Sequence, residues 1–232
     1  MKIKHGMILA AGHGKRMQPL TLEKPKPLLN IGQKSLLERA IELLINHGVE
    51  EIVINVHYLS EQITNFIKNK KYSIKITISD ESDLLLGTGG GIFNATKSFK
   101  KEPFFAINPD TLWNNSYLEE TISLEKLYFK NKKPSLLLVD KDLSFDSSFK
   151  GDFNLSNNVV NKNQNNNYIF TGLQVLNREI FNYTKNKVFS MNMIWDNLIT
   201  NESLFGIQSN KKFYHLNTKE MYDKISNLKF TD

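Results

Sequence analysis

The sequence contains no cysteine, so disulfide bonds and thiolate metal ligands are excluded from its chemistry. It also contains no long apolar run. The first apolar stretch, residues 7–11, is broken at Gly12, and none approaches the roughly 18 residues that a membrane-spanning helix needs. We therefore expect a cytoplasmic protein with no secretion signal and no membrane partner.

Arginine is scarce: Arg16, Arg39 and Arg178 are the only arginines in a chain with 30 Lys+Arg. The formal net charge is nevertheless +6, because lysine is abundant and dispersed along the sequence. A dispersed basic surface is typical of solvation or of attraction to small phosphorylated ligands, so nucleic acid is not predicted as a partner. Arg16, which lies beside two glycines, is well suited to bind a phosphate group in a bidentate manner.

What the sequence does contain is typical of a globular domain. Hydrophobic residues make up 40% and charged residues 23% of the chain, as in an ordinary globular protein. Its length of 232 residues is enough for one domain with a substantial core. Strand-like and helix-like segments alternate as far as residue 140. The predicted strands there are 4–10, 51–57, 73–79, 103–108 and 134–140, and the predicted helices are 35–47, 60–69, 88–99 and 116–131. This alternation predicts βαβ units and a mostly parallel sheet with helices on both faces.

The pattern changes after residue 140. Residues 151–155 and 158–176 resemble hairpin strands, and residues 204–208 and 211–216 resemble a further pair. Helices are predicted at 190–201 and from Asn217 to about Lys229. The fold class is therefore α/β, with a Rossmann-like, mostly parallel sheet and a small antiparallel lobe.

Short cap motifs predict where several helices begin and end. Ser35 and Glu38 form a capping box, and Gly48 predicts the end of the same helix. The same reasoning predicts N-caps at Ser60, Ser116 and Asn217.

Residues 9–29, "LAAGHGKRMQPLTLEKPKPLL", carry the strongest signal for function. Gly12 and Gly14 directly follow a predicted buried strand, where backbone amides can contact phosphate oxygens. The Walker A pattern does not fit, because Leu9 and Arg16 occupy two of its required positions. The dinucleotide fingerprint also fails, because Met17 replaces its third glycine, and this disfavours an oxidoreductase. Taken alone, the two glycines fit a turn as well as a ligand loop.

The complete stretch resembles the signature of the sugar-1-phosphate nucleotidyltransferases, also called nucleoside-diphosphate-sugar pyrophosphorylases. That signature is L-A-A-G-x-G-x-R-M-x-P-L-T followed by P-K-P-L, and every fixed position matches here. The resemblance continues in "LGTGGGIFNA", "NPD", "GDFNL", "FTGLQVL" and "FYHLNT", so it spans nearly the whole chain. Within the family, the sequence is most similar to N-acetylmuramate-1-phosphate uridylyltransferases and to short enzymes resembling mannose-1-phosphate guanylyltransferase.

The resemblance implies that a nucleoside triphosphate and a sugar 1-phosphate react to give a nucleotide sugar and pyrophosphate. It implies a single domain over residues 1–232 of the nucleotide-diphospho-sugar transferase type, without a C-terminal β-helix. Residues 1–140 would mainly bind the nucleotide, and residues 141–232 would mainly bind the sugar and complete a metal site. No obligate protein partner is expected.

The resemblance also implies particular site residues. Arg16 and Lys26 are the expected catalytic cations: Arg16 for the β- and γ-phosphates, and Lys26 for the α-phosphate and the sugar phosphate. Expected nucleotide-binding residues are Leu9, Ala10, Ala11, Gly12, His13, Gly14, Lys15, Arg16, Glu81, Gly87, Thr88 and Gly89. Expected sugar-binding residues are Asn108, Asp152, Thr171 and Gly172.

Asp110 is the expected ligand of Mg²⁺, and His215 is where the sequence departs from the family. The resemblance places a second metal-binding aspartate at position 215, but imidazole is a poor ligand for a hard cation. Three readings follow: His215 contacts a phosphate or a metal-bound water, the site uses a softer ion such as Mn²⁺, or activity is lost. The third reading gives an alternative of another class, a non-catalytic nucleotide-sugar binding protein. The presence of Arg16, Lys26 and Asp110 favours an enzyme.

Overall fold

The computed structural model describes residues 1–182 and 184–228. The strands are β1 (His5–Leu9), β2 (Asn30–Ile31), β3 (Lys34–Ser35), β4 (Glu51–Val56), β5 (Lys75–Asp80), β6 (Phe104–Ile107), β7 (Ser135–Asp140), β8 (Asn154–Ser156), β9 (Val159–Asn161), β10 (Tyr168–Leu176) and β11 (Phe205–Ser209). The helices are α1 (Leu36–His47), α2 (Ser60–Lys70), α3 (Gly87–Ala95), α4 (Leu118–Asn131), α5 (Met191–Thr200) and α6 (Lys219–Ser226).

The main sheet has nine strands in the order β5-β4-β1-β6-β10-β7-β11-β9-β8, and β2 and β3 form a separate two-stranded ribbon. In the main sheet β10 and β9 run against the direction shared by the other strands. The predicted α/β fold with a mostly parallel sheet is confirmed. The late antiparallel hairpin, β8 and β9, extends the edge of the same sheet.

The sheet is covered on both faces because successive side chains of a buried strand point in opposite directions. Met7 and Ile8, adjacent in β1, are both fully buried but belong to different hydrophobic clusters. The cluster of Ile8 also contains Ile41 of α1. The cluster of Met7 also contains Ile92 of α3 and Ile194 of α5, so these two helices cover the opposite face. No helix among the described residues is long and apolar enough to cross a membrane.

Helix α1 begins and ends as predicted. The Ser35 hydroxyl accepts a hydrogen bond from the Glu38 N–H at 3.1 Å. At the other end Gly48 has a φ of 102°, and its N–H donates to the carbonyls of Leu44 and Ile45. A left-handed conformation of this kind favours glycine, which is why Gly48 marks the helix end.

Two of the other predicted caps are wrong. Ser60 lies inside the first turn of α2, and the N-cap position is taken by Leu59, which has a φ of 50° and no side-chain acceptor. Ser116 donates its N–H to the Asn114 side chain within a 3₁₀ turn that precedes α4. Local spacing alone points to the two serines, but a tight turn before each helix moves its start by one or two residues.

The cap predicted for the last helix is also wrong by one residue. The hydroxyl of Thr218, not Asn217, accepts the Met221 N–H at the start of α6. The Asn217 amide instead donates to Asp146 at 3.2 Å. The predicted end of this helix, at about Lys229, lies outside the described residues.

Residues 211–216 do not form the predicted strand. Phe213 makes an isolated bridge with Ser144, and His215 makes an isolated bridge with Thr111. Because the segment changes partner every two residues, no continuous ladder of hydrogen bonds develops. This path brings His215 beside the loop that follows β6.

Candidate active site

A cavity of about 370 Å³ lies at the carboxyl ends of β1, β4 and β6. Open α/β sheets bind ligands at this edge, because the loops that leave parallel strands converge there. The residues that line it are Leu9, Ala10, Ala11, Gly12, Gly14, Lys15, Arg16, Met17, Lys26, Pro27, Leu36, Asn55, Leu85, Gly87, Thr88, Asn108, Pro109, Asp110 and Asn217. We call it the first cavity.

The two glycines of the loop after β1 serve different purposes. Gly14 has a φ of 65°, and a Cβ there would lie 3.0 Å from the Thr21 side chain and 3.2 Å from that of Lys26. The fold itself therefore requires Gly14. A Cβ on Gly12 would meet no atom within 4 Å, so nothing in the protein's own packing requires a glycine there. Gly12 keeps open a space that a ligand can occupy.

Lys26 reaches the cavity from a short 3₁₀ turn, Lys26–Leu28, that is bounded by proline. Pro25, with a φ of −65°, leads into this turn, and Pro27 is buried within it. The Lys26 ammonium donates to the Asp110 carboxylate, with 2.7 Å between Nζ and Oδ2. Two residues far apart in sequence thus form an ion pair where β1 and β6 end.

Asp110 is held ionised by its neighbours. Burial acts to raise the pKa of its carboxyl group, but the charge of Lys26, the imidazolium that His215 forms at low pH and the hydrogen bond from Lys26 outweigh burial and hold that pKa well below its usual value. His215 is itself largely buried, and this burial, with Lys26 and Arg16, lowers the imidazole pKa against the opposing charge of Asp110. Because the imidazole is then neutral near pH 7, Lys26 is the cation that balances Asp110 there.

His215 lies between two aromatic rings, stacked on Phe213 at 5.7 Å and edge-on to Phe149 at 5.6 Å between ring centroids. Its Nε2 is 3.8 Å from Asp110 Oδ2. The side chain lines a second cavity of about 360 Å³ that lies next to the first. The Asp110–His215 contact therefore stands between the two cavities.

Several polar atoms beside this contact have no partner. Asp110 Oδ1, Asn217 Oδ1 and His215 Nδ1 are all buried and form no hydrogen bond within the described part of the chain. Carboxylate and amide oxygens are suitable ligands for Mg²⁺, a hard cation that prefers oxygen, so Asp110 and Asn217 fit a magnesium ion. No group of three or more His, Cys, Asp or Glu side chains suited to a metal occurs among the described residues. A cation held here would therefore rely on few protein ligands.

The structure brings most of the predicted nucleotide-binding residues together. The first cavity is lined by all but three of them, and both predicted cations, Arg16 and Lys26, are included. Arg16 is exposed, and its guanidinium makes no ion pair with the residues that the structure describes. The three that do not line the cavity are His13, Glu81 and Gly89.

His13 and Glu81 support the site from outside. The His13 ring packs against His57 and Tyr58 at the rim. The Glu81 carboxylate is buried and accepts hydrogen bonds from the Asn55 amide at 2.7 Å and from the Leu86 N–H at 3.1 Å. The Glu81 carboxylate thus bonds to groups of the protein itself.

Asn55 is a site residue that sequence reasoning missed. It lies in β4, and its side-chain oxygen accepts the Ala10 N–H at 2.9 Å while its amide donates to Glu81. It thereby fixes the start of the glycine loop and lines the first cavity. A signal was present, because an asparagine interrupts the otherwise apolar run "IVINV", residues 52–56.

The glycines at the start of α3 are explained largely by packing. Residues 187–190, which we call the strap, cross the N-terminus of this helix. Added Cβ atoms would lie 2.4 Å from the Phe189 ring at Gly89 and 2.2 Å from the Lys187 carbonyl at Gly90. The Phe189 carbonyl also accepts the N–H groups of both glycines, at 3.0 and 3.1 Å. Only Gly87 and Thr88 of this segment line the first cavity.

The predicted sugar-binding residues fall in different places. Asn108 lines the first cavity and Asp152 lines the second. Thr171 and Gly172 line neither cavity. The Thr171 hydroxyl is buried and donates to the Leu137 carbonyl, and a Cβ on Gly172 would lie 3.0 Å from the Asn108 Cβ. Gly172 therefore packs directly against Asn108, and its carbonyl accepts the Asn108 N–H at 2.8 Å.

The fold and the site together define an α/β protein with a glycine–cation loop, suited to phosphate groups, at the carboxyl edge of its sheet. The family model described as nucleotidyl transferase matches residues 5–141, which is more than half of the chain. The chain belongs to the nucleotidyl transferase family.

Two curated relatives match about half of the chain. The sequence is 37% identical over 113 residues to the N-acetylmuramate alpha-1-phosphate uridylyltransferase of Caulobacter vibrioides, covering 47% of each chain. It is 39% identical over 118 residues to the mannose-1-phosphate guanyltransferase of Saccharomyces cerevisiae, covering 49% of this chain and 32% of the relative. The matched region thus spans at most about half the length of these relatives.

Solved structures match over nearly the whole chain. HddC from Yersinia pseudotuberculosis has a TM-score of 0.78 at 24% identity, covering 97% of this chain and 98% of its own. A UDP-glucose pyrophosphorylase complexed with UDP-glucose has a TM-score of 0.77 at 22% identity, covering 97% of each chain. At these identities the likeness establishes the fold.

Proposed function

We propose that this protein is a sugar-1-phosphate nucleotidyltransferase that converts a nucleoside triphosphate and a sugar 1-phosphate into a nucleotide sugar and pyrophosphate. The observation that carries the proposal is the Lys26–Asp110 pair, with 2.7 Å between Nζ and Oδ2, beside a glycine loop that leaves open space. Membership of the nucleotidyl transferase family supports the reaction class.

The reaction needs charge neutralisation more than it needs a base. The attacking phosphate oxygen of a sugar 1-phosphate is already anionic near neutral pH, because its second pKa is about 6. It displaces pyrophosphate from the α-phosphorus: one P–O bond forms, one breaks, and no proton has to move. The difficulty is repulsion between two polyanions. Lys26 would bridge the α-phosphate and the incoming phosphate, and Arg16 with the Gly12–Gly14 amides would hold the leaving pyrophosphate.

We propose Mg²⁺ as the cofactor, with Mn²⁺ as the alternative. Members of this family generally use a divalent cation. Asp110 Oδ1 and Asn217 Oδ1, which are buried and unpartnered, would hold it. When bound, the ion would supply positive charge to the α-phosphate. We propose that the neutral imidazole of His215 contacts either a water bound to the cation or the phosphate of the sugar.

The two cavities suggest how the substrates are divided. The first cavity takes its lining from residues 9–110 together with Asn217, and the second takes its lining from residues 149–215. We propose that the triphosphate and base occupy the first cavity, with the base near Gly87 and Thr88, and that the sugar extends into the second beside Asp152. This assignment supports residues 1–140 as mainly nucleotide-binding and residues 141–232 as mainly sugar-binding in one domain. We place the reaction in the cytoplasm.

The finer proposal is UTP with a sugar like N-acetylmuramate 1-phosphate. The alternative is GTP with mannose 1-phosphate. Relatives named for each activity match this chain at similar identity, 37% and 39%. The segments "TGGGIF" and "GDF" favour the uridylyltransferase.

Pyrophosphate release tests the proposal. The four nucleoside triphosphates are each combined with a panel of sugar 1-phosphates that includes the N-acetylmuramate and mannose derivatives, in the presence of Mg²⁺ or Mn²⁺. We expect release with UTP and the N-acetylmuramate derivative. Preference for GTP with mannose 1-phosphate would replace the substrate assignment, and no release with any pair would reject the enzyme.

The same experiment separates the enzyme from a non-catalytic nucleotide-sugar binding protein. Such a protein would bind UTP or a nucleotide sugar in a calorimetric titration and release no pyrophosphate. The retained Lys26–Asp110 pair argues against it, because binding alone does not require a cation that bridges two phosphates.

A further inference from the structure

The second cavity has walls that suit more than a hydroxyl-rich sugar. Its lining includes Phe149, Phe153, Phe170, Trp195 and Phe213. The Trp195 ring is edge-on to Phe170 at 4.9 Å and to Phe153 at 5.7 Å between centroids. Its indole N–H is already engaged by Gln174, so it presents an apolar surface. Part of the occupant of this cavity should therefore be apolar.

Two charged side chains line this aromatic cavity, Asp152 and Lys162. One Asp152 oxygen accepts the Phe170 N–H at 2.9 Å, so this carboxylate already has a hydrogen-bond partner in the backbone. The Lys162 ammonium lies 3.5 Å from Asp196, and about half of each of these side chains is exposed, at 46% and 59%. An ion pair this exposed contributes little and exchanges readily for another partner.

We propose, resting on the nucleotidyltransferase function above, that the sugar 1-phosphate carries a carboxylate-bearing, partly apolar substituent, and that Lys162 binds this carboxylate. The ammonium sits 6.0 Å from the Phe153 ring centroid, at the place where the aromatic wall and the solvent meet. The apolar part of the substituent packs on the rings while its carboxylate replaces Asp196 as the partner of Lys162.

A neutral hexose phosphate does not use these features. It offers no negative charge to Lys162 away from the phosphate, and the phosphate itself is assigned to Lys26 in the neighbouring cavity. Lys162 would then act as a specificity residue, favouring acidic over neutral sugars.

The test compares Michaelis constants for two acceptors at a saturating nucleoside triphosphate. One is N-acetylmuramate 1-phosphate, which carries a carboxylate, and the other is N-acetylglucosamine 1-phosphate, which lacks it. Lys162→Met should raise KM for the acidic sugar about fivefold, the upper end of what an ion pair at a half-exposed site contributes, and leave KM for the neutral sugar within about twofold. Asp196→Asn should lower KM for the acidic sugar, because the competing carboxylate is gone.

Lys150→Met is the matched control. Lys150 is exposed and lines a groove beside the second cavity, formed by residues 141–151 and 164–166, which we call the adjoining groove. Its loss therefore removes the same charge nearby without removing the proposed contact. Equal changes of KM for both sugars in Lys162→Met, or equal effects of the two lysine substitutions, would overturn the proposal. Calorimetric binding of the two sugar phosphates repeats the comparison without turnover. Absence of pyrophosphate release by the wild type with every pair would reject the enzyme instead, while that titration would still decide the role of Lys162.

Discussion

Lys26 is the residue on which the proposed chemistry depends most directly. Replacing it by alanine removes the cation that would bridge two phosphates, and we expect kcat/KM for pyrophosphate release to fall at least about 100-fold, or roughly 3 kcal/mol. Lys24→Ala is the control, because Lys24 is exposed two residues away and does not line the first cavity. Thermal unfolding of both variants establishes that they fold. Near wild-type turnover in folded Lys26→Ala would remove Lys26 from the mechanism.

Gly12 and Gly14 offer a paired test of ligand space against fold. In Gly12→Ala the new Cβ meets no protein atom within 4 Å, so we expect stability to change by less than about 0.5 kcal/mol while nucleotide affinity falls. In Gly14→Ala the residue must keep a φ of 65° against Thr21, so we expect a loss of about 1 kcal/mol or more. Thermal unfolding and calorimetric titration with UTP measure the two effects. Unchanged UTP affinity in Gly12→Ala would show that the ligand does not use this space.

His215→Asp tests the role of the residue that departs from the family pattern. A second carboxylate beside Asp110 should lower the melting temperature without a divalent cation, because like charges repel. It should also tighten Mg²⁺ binding about tenfold, since the cation gains an oxygen ligand. His215→Asn is the uncharged control. If Mg²⁺ raises the melting temperatures of the aspartate and asparagine variants equally, the cation does not bind beside His215.

At the scale of single elements, the sequence predicted an element correctly where contacts between residues close in sequence determine it. The Ser35 cap and the Gly48 end of α1 are determined within a few residues, and both were predicted. Gly87, Thr88 and Gly89 of α3 were predicted to bind the nucleotide, and that remains a prediction, but the packing of Gly89 and its neighbour Gly90 on the strap, about 100 residues away in sequence, was not foreseen. The strand predicted at residues 211–216 failed for the same reason, because distant partners decide its pairing.

The strap gives a prediction for α3. A Cβ at Gly90 would lie 2.2 Å from the backbone carbonyl of Lys187, which cannot rotate away, so Gly90→Ala should destabilise the protein by about 1 to 3 kcal/mol. Gly12→Ala provides the comparison, since its added methyl group is free of contacts. Urea unfolding of the two variants measures the difference. Equal stability of the two would mean that the strap does not pack on α3 as described.

At the scale of the whole molecule, the fold and the first cavity were largely predictable. Alternating strands and helices determine the sheet, and the motif at residues 9–29 lies in one continuous stretch that folds at one edge. The second cavity was not predictable beyond Asp152, because its walls come from β10, α5 and the loops around Phe149 and Phe213. No local pattern in these segments shows that they meet.

A small part of the stability should depend on pH through Asp152, because this side chain is exposed to solvent although the cavity walls partly desolvate its carboxyl group. Burial raises the pKa of this carboxyl group, with the Phe170 N–H and Lys162 opposing. A raised pKa means that the folded state binds the proton more tightly, so stability falls as the pH rises through the folded-state pKa. Asp152→Asn should therefore melt at a slightly higher temperature than the wild type at pH 7, and this small gap should close as the pH falls below about 4.

Melting curves between pH 3.5 and 7.5 test this dependence. Asp142→Asn is the control, because Asp142 is an exposed carboxylate in the adjoining groove. A constant gap between Asp152→Asn and the wild type across this range would contradict the assignment of the effect to titration of Asp152.

The hydrogen bond that joins the start of α3 to the start of α5 also bears on how such a protein can evolve. The Thr88 hydroxyl, at the wall of the first cavity, accepts the N–H of Met191 at 2.9 Å, and Met191 begins the helix that carries Trp195 into the second cavity. A substitution at Thr88 that suits a different base also disturbs the anchor of α5. We expect such substitutions to be epistatic with changes around Trp195, so that a lineage altering its nucleotide must readjust its sugar pocket in the same steps.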